Sequence, residues 1–156
     1  MIPGLDFGSD WATPAVRLAA ALVAGAILGV NRDLHRKPAG LRTHALVSIG
    51  SATIVLVTLA AANGSGEALS RVIQGLITGI GFLGAGVIIH HEAGQRVEGL
   101  TTAASIWVAA ALGAACGAGL GAIALLAFVA TLLVLIFGGR IERTCEKLFR
   151  GDQPPQ

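Results

Sequence analysis

The stretch NRDLHRKPAGLRTH, residues 31–44, lies between two long apolar runs and decides how the chain is arranged. The 156 residues are 54% hydrophobic and only 13% charged, and the mean hydropathy is +0.75. A soluble domain has roughly 25% charged residues. The composition therefore indicates an integral membrane protein with residues 31–44 as a polar loop between two spans. The net charge of +2 gives no sign of nucleic-acid binding, and we expect no nucleic-acid partner.

Five apolar runs are about long enough to cross a bilayer as helices. They are Ala12–Val30, Thr43–Ala62, Val72–Ile89, Leu100–Gly117 and Leu120–Gly138. No basic residue precedes the first run, so we expect a retained span rather than a signal peptide. The predicted fold is an all-α integral membrane protein, a compact bundle of about five transmembrane helices. Residues 1–139 form its transmembrane domain, and residues 140–156 form a short basic amphipathic cytoplasmic tail.

The basic residues predict the orientation of the chain. Nine of them fall in the loop after the first span, the loop after the third span and the tail, whereas the opposite side has only Arg71. Loops rich in lysine and arginine stay in the cytoplasm. We therefore expect the N-terminus outside and the C-terminus in the cytoplasm.

A shift of 59 residues aligns the first polar loop with the second. It superposes Gly40-Leu41-x-Thr43 on Gly99-Leu100-x-Thr102, and Asp33 on Glu92. Spans one and two and spans three and four are then related units of a parallel repeat. Chance similarity between two segments rich in glycine and alanine is the alternative.

Small residues mark the faces on which membrane helices pack closely. They are Gly25 and Gly29 in the first span, and Gly75, Gly79, Gly81, Gly84 and Gly86 in the third. Because the third span carries small residues on two sides, we expect it to be clamped centrally between neighbours. A small-residue face left free predicts a homodimer.

The two polar turns offer the clearest candidate chemistry. Thr43 in the first copy, and Thr101 or Thr102 in the second, are predicted to cap the following helix. Free N–H groups at the first helix start, with Arg42 and His44, form a candidate anion or carboxylate site. Ordinary capping in a positively charged loop explains the same residues. Arg17, inside the first span, either faces the bundle interior or extends to the outer surface.

Several functions lack the residues that they need. The middle of every predicted span lacks aspartate and glutamate, and the chain has no GxxxxGK[ST] nucleotide motif. His90, His91 and Glu92 are adjacent rather than spaced for a metal, and Cys116 and Cys145 have no ligand spacing. We predict no enzyme activity, no metal site and no cofactor, with Mg²⁺ only as a transported or sensed ion.

Three segments resemble the membrane domain of the MgtC/SapB family of bacterial inner-membrane proteins. They are GAILGVNRDLHRKPAGLRTHALVSIGSA, RVIQGLITGIGFLGAGVII and VEGLTTAASIWVAAALGAACGAG. The resemblance selects as cytoplasmic motif residues, for ligand or partner binding, Asn31, Arg32, Lys37, Gly40, Arg42, Thr43, His44, Gly99, Thr101 and Thr102. Many members carry an acid at the position of Asn31 and a soluble C-terminal domain after the membrane domain.

The resemblance implies a multi-pass protein of the bacterial inner (plasma) membrane. It implies a role in adaptation to low magnesium or acid stress, linked to virulence in pathogens. The expected mechanism is modulation of other membrane proteins, such as ATP synthase. A magnesium or other cation transporter or channel is the alternative, and a solute carrier that holds an anion near Arg42 is a third.

Overall fold

The structure is a computed structural model, which describes residues 11–90 and 97–150. The helices are α1 (Ala12–Leu34), α2 (Leu41–Ala61), α3 (Gly66–Val87), α4 (Leu100–Gly117) and α5 (Gly121–Arg150). Two short strands, β1 (Ile89–His90) and β2 (Val97–Glu98), pair antiparallel between α3 and α4. All five helices are long and apolar enough to cross a membrane, which confirms the predicted all-α fold with five spans.

The first polar loop is shorter than the sequence predicts. Residues 31–34 continue α1 and residues 41–44 begin α2, so only residues 35–40 connect the two helices. Pro38 disfavours helical backbone at the preceding residue, and the turn uses left-handed conformations at Arg36 (φ 51°) and Ala39 (φ 57°). Helix α1 thus continues through the polar residues 31–34, beyond its apolar part. The length of an apolar run therefore does not mark where a helix ends.

Two other boundaries differ from the prediction. Helix α3 begins six residues before Val72, where the Ser65 hydroxyl accepts a hydrogen bond from the N–H of Ala68 and Glu67 forms an ion pair with Arg71. Helix α5 continues without a break through the start of the predicted tail and ends at Arg150. Polar residues near helix ends stabilise additional turns that a hydropathy pattern does not detect.

Helix α4 occupies the centre of the bundle, and the prediction that the third span is central was wrong. Helix α4 contacts each of the other four helices, whereas α3 contacts mainly α4 and α2. A side chain added at Gly75, Gly79, Gly81 or Gly86 would meet no atom within 4 Å. These small residues of α3 therefore face outward in the single chain. The prediction failed because a small residue permits close packing but does not show that a neighbouring helix is present.

Close backbone approach joins α2 to its two main neighbours. A Cβ atom at Gly25 of α1 would lie 2.6 Å from the His44 carbonyl oxygen, and one at Gly113 of α4 would collide with the Ser48 carbonyl. The Ser48 hydroxyl donates a 2.7 Å hydrogen bond to the Ala21 carbonyl oxygen across the α1–α2 contact. Only glycine fits at these crossings, so α1, α2 and α4 form the tightly packed part of the bundle.

Equivalent contacts in the two halves agree with the predicted repeat. Gly25 of α1 lies against His44 of α2, and Gly84 of α3 lies against Ala103 of α4, each pair related by the shift of 59 residues. Gly40 and Gly99, also related by that shift, are the N-cap residues of α2 and α4. The common origin of the halves and the orientation of the chain stay predictions.

Candidate functional site: a polar cluster where α1, α2 and α4 meet

A carboxylate from α1 occupies the N-terminus of α2. Asp33 Oδ2 accepts a 2.9 Å hydrogen bond from the N–H of Leu41, the first residue of α2. A Cβ atom at Gly40 would collide with this carboxylate, so a larger residue there would displace the Asp33 side chain from its present position. The negative charge also lies at the positive end of the α2 dipole. The predicted anion site at this helix start is therefore filled by the chain's own Asp33.

The predicted threonine caps were wrong. Gly40 and Gly99 are the N-cap residues of α2 and α4, and neither helix has a side-chain cap from its N-cap residue. Thr43 and Thr102 lie inside the first turn, too late in the chain to cap it. Gly99 adopts φ 93° and packs directly against the Val87 carbonyl, a position that only glycine accommodates.

Thr102 instead receives a hydrogen bond from a buried arginine. Arg32, near the end of α1, is 5% exposed, and its Nη2 donates to Thr102 Oγ1 at 2.6 Å. Arg32 Nε is buried and has no hydrogen-bond partner. A guanidinium has five N–H donors, and a buried cation normally has an anionic partner. This arginine joins α1 to α4, but its charge is incompletely satisfied.

His44 joins α2 to α4 beside this arginine. The ring is fully buried; Nδ1 lies 3.0 Å from the Gly40 carbonyl oxygen and Nε2 lies 3.0 Å from Ser105 Oγ. Because a carbonyl only accepts, Nδ1 carries a proton, and a neutral ring then accepts at Nε2 from the Ser105 hydroxyl. That hydroxyl also lies 2.8 Å from the Thr102 carbonyl oxygen and donates to one acceptor at a time.

We call these five residues, Arg32, Asp33, His44, Thr102 and Ser105, the Arg32 cluster. The structure brings Arg32, His44 and Thr102 together from the predicted motif. The other predicted motif residues lie around the cluster, and of these only Gly40 bonds to a cluster side chain among the described contacts, through its carbonyl oxygen and His44 Nδ1. Asn31, Gly40, Thr43 and Gly99 are partly exposed, and Lys37, Arg42 and Thr101 are exposed. Arg42 is exposed and points away from the cluster, because it lies two residues before His44 and so projects roughly 200° around α2 from that buried ring.

The sequence prediction did not select two members of the cluster, Asp33 and Ser105, as site residues. Ser105 follows Thr102 by three residues on α4, so the two side chains share one helix face. That spacing is a usable signal in an otherwise apolar segment. Asp33 acts on the N–H of Leu41, eight residues later, and its role depends on the turn between the helices. Nothing in the local pattern indicates that contact.

Arg17 marks the opposite end of α4. Its Nη1 donates a 3.0 Å hydrogen bond to the Gly117 carbonyl oxygen, at the last residue of the helix. Gly119, at φ 78°, leaves room for the guanidinium, because a Cβ atom there would lie 2.7 Å from Arg17 Nη2. A cation at a helix C-terminus is stabilised by the helix dipole. Arg17 thus ties α1 to α4 at this end.

Within residues 11–90 and 97–150, no group of three or more histidine, cysteine, aspartate or glutamate side chains is arranged to hold a metal ion. Cys116 is buried and Cys145 is exposed, and both are free thiols. Glu92, which the shift of 59 residues aligns with Asp33, and the neighbouring His91 lie outside the described residues. The described part of the cluster therefore offers hydrogen-bond donors and one aspartate, rather than a set of cation ligands.

Five apolar spanning helices with a largely buried polar cluster at one end define a multi-pass helical membrane protein. The model of the MgtC family matches residues 18–144, which include α2, α3, α4, most of α1 and α5, and the whole cluster. The chain therefore belongs to the MgtC family.

Similar proteins occur in several bacteria. The chain is 44% identical to SrpB of Synechococcus elongatus, over 86% of this chain and 79% of that protein. It is 40% identical to YhiD of Escherichia coli K12, whose name proposes magnesium transport, over 77% of this chain and 58% of YhiD. It is 43% identical to MgtC of Brucella abortus, over 68% of this chain and 43% of MgtC. The match thus spans about half the length of YhiD and MgtC. No solved structure gives a significant match.

Proposed function

We propose that this protein is a non-enzymatic regulator in the bacterial inner membrane, which binds another membrane protein through the turn between α1 and α2. The observation that carries this proposal is a group of exposed cations on a fixed turn. Arg36, Lys37 and Arg42 are all exposed there. The Arg32 cluster beneath holds the ends of both helices in place.

The fixed turn limits the entropy lost when a partner binds. Asp33 bonds the start of α2, and the N–H of Lys37 donates to the Arg32 carbonyl oxygen at 3.1 Å. Cations held in one arrangement complement an acidic surface and speed its association. The chemistry of the turn therefore fits an acidic protein surface at the membrane boundary.

Family membership supports the physiological part of the proposal. The proposed role of the protein is adaptation to low magnesium or acid stress. In a pathogenic bacterium that role also contributes to virulence. ATP synthase is the candidate partner to test first. The proposed action needs no cofactor, since binding alone changes the partner's activity.

A second copy of the chain is the proposed occupant of the outward face of α3. Gly75 and Gly79 are one turn apart on this face, with open space where their side chains would be. A different face of α3 carries Ile73 and Ile77, which with Trp107 help to line an apolar groove of about 320 Å³ between α3 and α4. Small residues one turn apart permit close helix contact in a bilayer, which favours a homodimer.

Magnesium transport is the second candidate function, and the similarity to YhiD favours it. A transporter needs a hydrated path with oxygen ligands for Mg²⁺. The buried surfaces among α1, α2 and α4 combine alanine, leucine and close glycine contacts with polar side chains such as Arg32, His44 and Ser48, and the buried residues that the structure describes include no carboxylate. Transport therefore requires a path at a subunit interface or a conformation different from this one.

Co-purification from native membranes tests the regulator proposal. The variant with Lys37→Ala and Arg42→Ala should retain less than about a tenth of the ATP synthase bound by the wild type, since two charge-assisted contacts are lost. The control is Arg71→Ala, which removes an exposed cation at the opposite end of the bundle and should not change the amount bound. Binding that is unchanged in the double variant, or equally reduced in the control, would contradict the proposal.

A further inference from the structure

The two ends of α4 differ in their electrostatic balance. At the C-terminus, Arg17 lies where the helix dipole is negative, which is a favourable arrangement. At the N-terminus, the Arg32 guanidinium bonds to Thr102 in the first turn, where the dipole is positive. A cation beside the positive end of a helix is repelled, so this second arrangement needs a compensating negative charge.

The residues that the structure describes supply no such charge to Arg32. Of its three guanidinium nitrogens, only Nη2 has a partner among them, and that partner is the uncharged Thr102 hydroxyl. The carboxylate of the neighbouring Asp33 bonds to the start of α2 instead. Arg32 is 5% exposed, so water satisfies little of its donor capacity. A buried guanidinium that has no anionic partner among the described residues, and whose Nε has no hydrogen bond, therefore lies against the first turn of α4.

Backbone donors adjoin this guanidinium. The first backbone bond at the start of α4 runs from the N–H of Ala103 to the Gly99 carbonyl oxygen, at 2.8 Å. The N–H groups of Leu100, Thr101 and Thr102 precede it and have no acceptor within the described part of the chain. Helix α2, by contrast, has the Asp33 carboxylate at the same place. Among the described residues, the start of α4 thus combines N–H donors that lack an acceptor with a buried cation.

We propose that a phosphate-type oxyanion binds between Arg32 and the first turn of α4. Its oxygens accept hydrogen bonds from the open N–H groups and from the guanidinium, and its charge balances both the arginine and the helix dipole. This site is separate from the exposed cations of the proposed partner surface. The proposal of an oxyanion site therefore does not depend on the proposal of a protein partner.

Two sources supply this chemistry at the end of a membrane helix. One is the headgroup phosphate of a phospholipid, since the polar ends of α1 and α4 coincide with the edge of the apolar spans. The other is free phosphate, or a phosphate ester, in the aqueous phase. The site recognises the oxyanion in both cases, and the experiment distinguishes them.

Thermal unfolding of the full chain in detergent measures binding to both sources. Inorganic phosphate is one probe and short-chain phosphatidylglycerol is the other, each titrated against chloride at equal ionic strength. A ligand that binds only the folded state raises the unfolding midpoint with saturation. The variant Arg32→Gln should bind about tenfold more weakly or worse, which is the effect of losing a hydrogen-bonded charge. The exposed control Arg42→Gln should bind within about twofold of the wild type, because screening reduces its contribution.

The conservative variant Arg32→Lys keeps the test valid if Arg32→Gln does not fold. It retains the positive charge but loses the planar fork, so its affinity should fall below that of the wild type. Saturable stabilisation by either probe supports the proposal. Stabilisation by the lipid alone identifies the headgroup as the source, and stabilisation by inorganic phosphate that competes with the lipid identifies a site open to free phosphate. Absence of stabilisation by both probes in folded wild-type protein would overturn it. Equal loss in Arg32→Gln and Arg42→Gln would overturn it too, since binding would then be nonspecific.

Discussion

Replacing Thr102 by valine removes the one bond that the described residues make to the Arg32 guanidinium. Valine has nearly the shape of threonine, so packing around α4 changes little. The lost contact is a 2.6 Å hydrogen bond from a cation that is 5% exposed. Hydrogen bonds to charged groups contribute about 1.5–3 kcal/mol, and the stranded guanidinium regains little of this from water. We therefore expect Thr102→Val to lower the free energy of unfolding by about 2 kcal/mol.

Reversible unfolding in mixed micelles, followed by circular dichroism in phosphate-free buffer, measures this loss. The matched control is Thr101→Val, an identical change at the exposed neighbouring position, which should shift stability by less than about 0.5 kcal/mol. In a double-mutant cycle with Arg32→Leu, the two sites should couple by about 1.5–3 kcal/mol. A loss equal to that of Thr101→Val, or a coupling near zero, would refute the role assigned to this contact.

Three further predictions concern packing, helix termini and orientation. Gly113→Ala should destabilise the bundle by about 1–3 kcal/mol, because the methyl group meets the α2 backbone. Gly79→Ala, where the added methyl group lies in open space, should leave the unfolding of monomeric protein nearly unchanged. The same Gly79→Ala change should weaken crosslinking of the dimer. Equal effects of these two changes on monomer unfolding would contradict the packing. Arg17→Gln should cost about 1 kcal/mol in the same assay through the lost contact at the end of α4, with Arg17→Lys restoring part of it, and no loss would count against that contact. A membrane-impermeant maleimide should label the exposed Cys145 in inside-out vesicles but not in intact cells, and should leave the buried Cys116 unmodified in both; labelling of Cys145 in intact cells would reverse the predicted orientation.

The helices were largely predictable because membrane spans have a strong compositional signal. A span must be apolar over about 20 residues, and all five runs met this requirement. Their ends were less predictable, since polar side chains set them. Asp33 and Ser65 each bond an early N–H group of a following helix, and hydropathy does not register such contacts.

The arrangement of the helices was harder to derive than their number. Glycine patterns marked surfaces of close approach on α1, where a Cβ atom at Gly25 would crowd α2, but the same pattern on α3 faces outward. A small residue permits a contact and does not require one. Which face finds a neighbour depends on the other helices and, for an oligomer, on the other chain.

The candidate site was predicted in its residues more than in its geometry. The two polar turns contained Arg32, His44 and Thr102, and the structure joins them through the Arg32 cluster. Sequence reasoning assigned the exposed Arg42 and the buried His44 to one anion site, although residues two apart on an α-helix project roughly 200° apart around its axis. Residues 61 and 70 apart in sequence form the actual bonds, and no local pattern encodes such distances.

Magnesium flux through the purified protein tests the regulator account most directly. The protein is reconstituted into liposomes that contain a magnesium indicator, beside protein-free vesicles and the Arg42→Ala variant, with its fold checked by circular dichroism. If binding to a partner is the function, magnesium uptake by vesicles that contain the wild type or the Arg42→Ala variant equals that of protein-free vesicles. Saturable magnesium uptake by the wild type would contradict the account, and its loss in Arg42→Ala would place the α1–α2 turn on the ion's path.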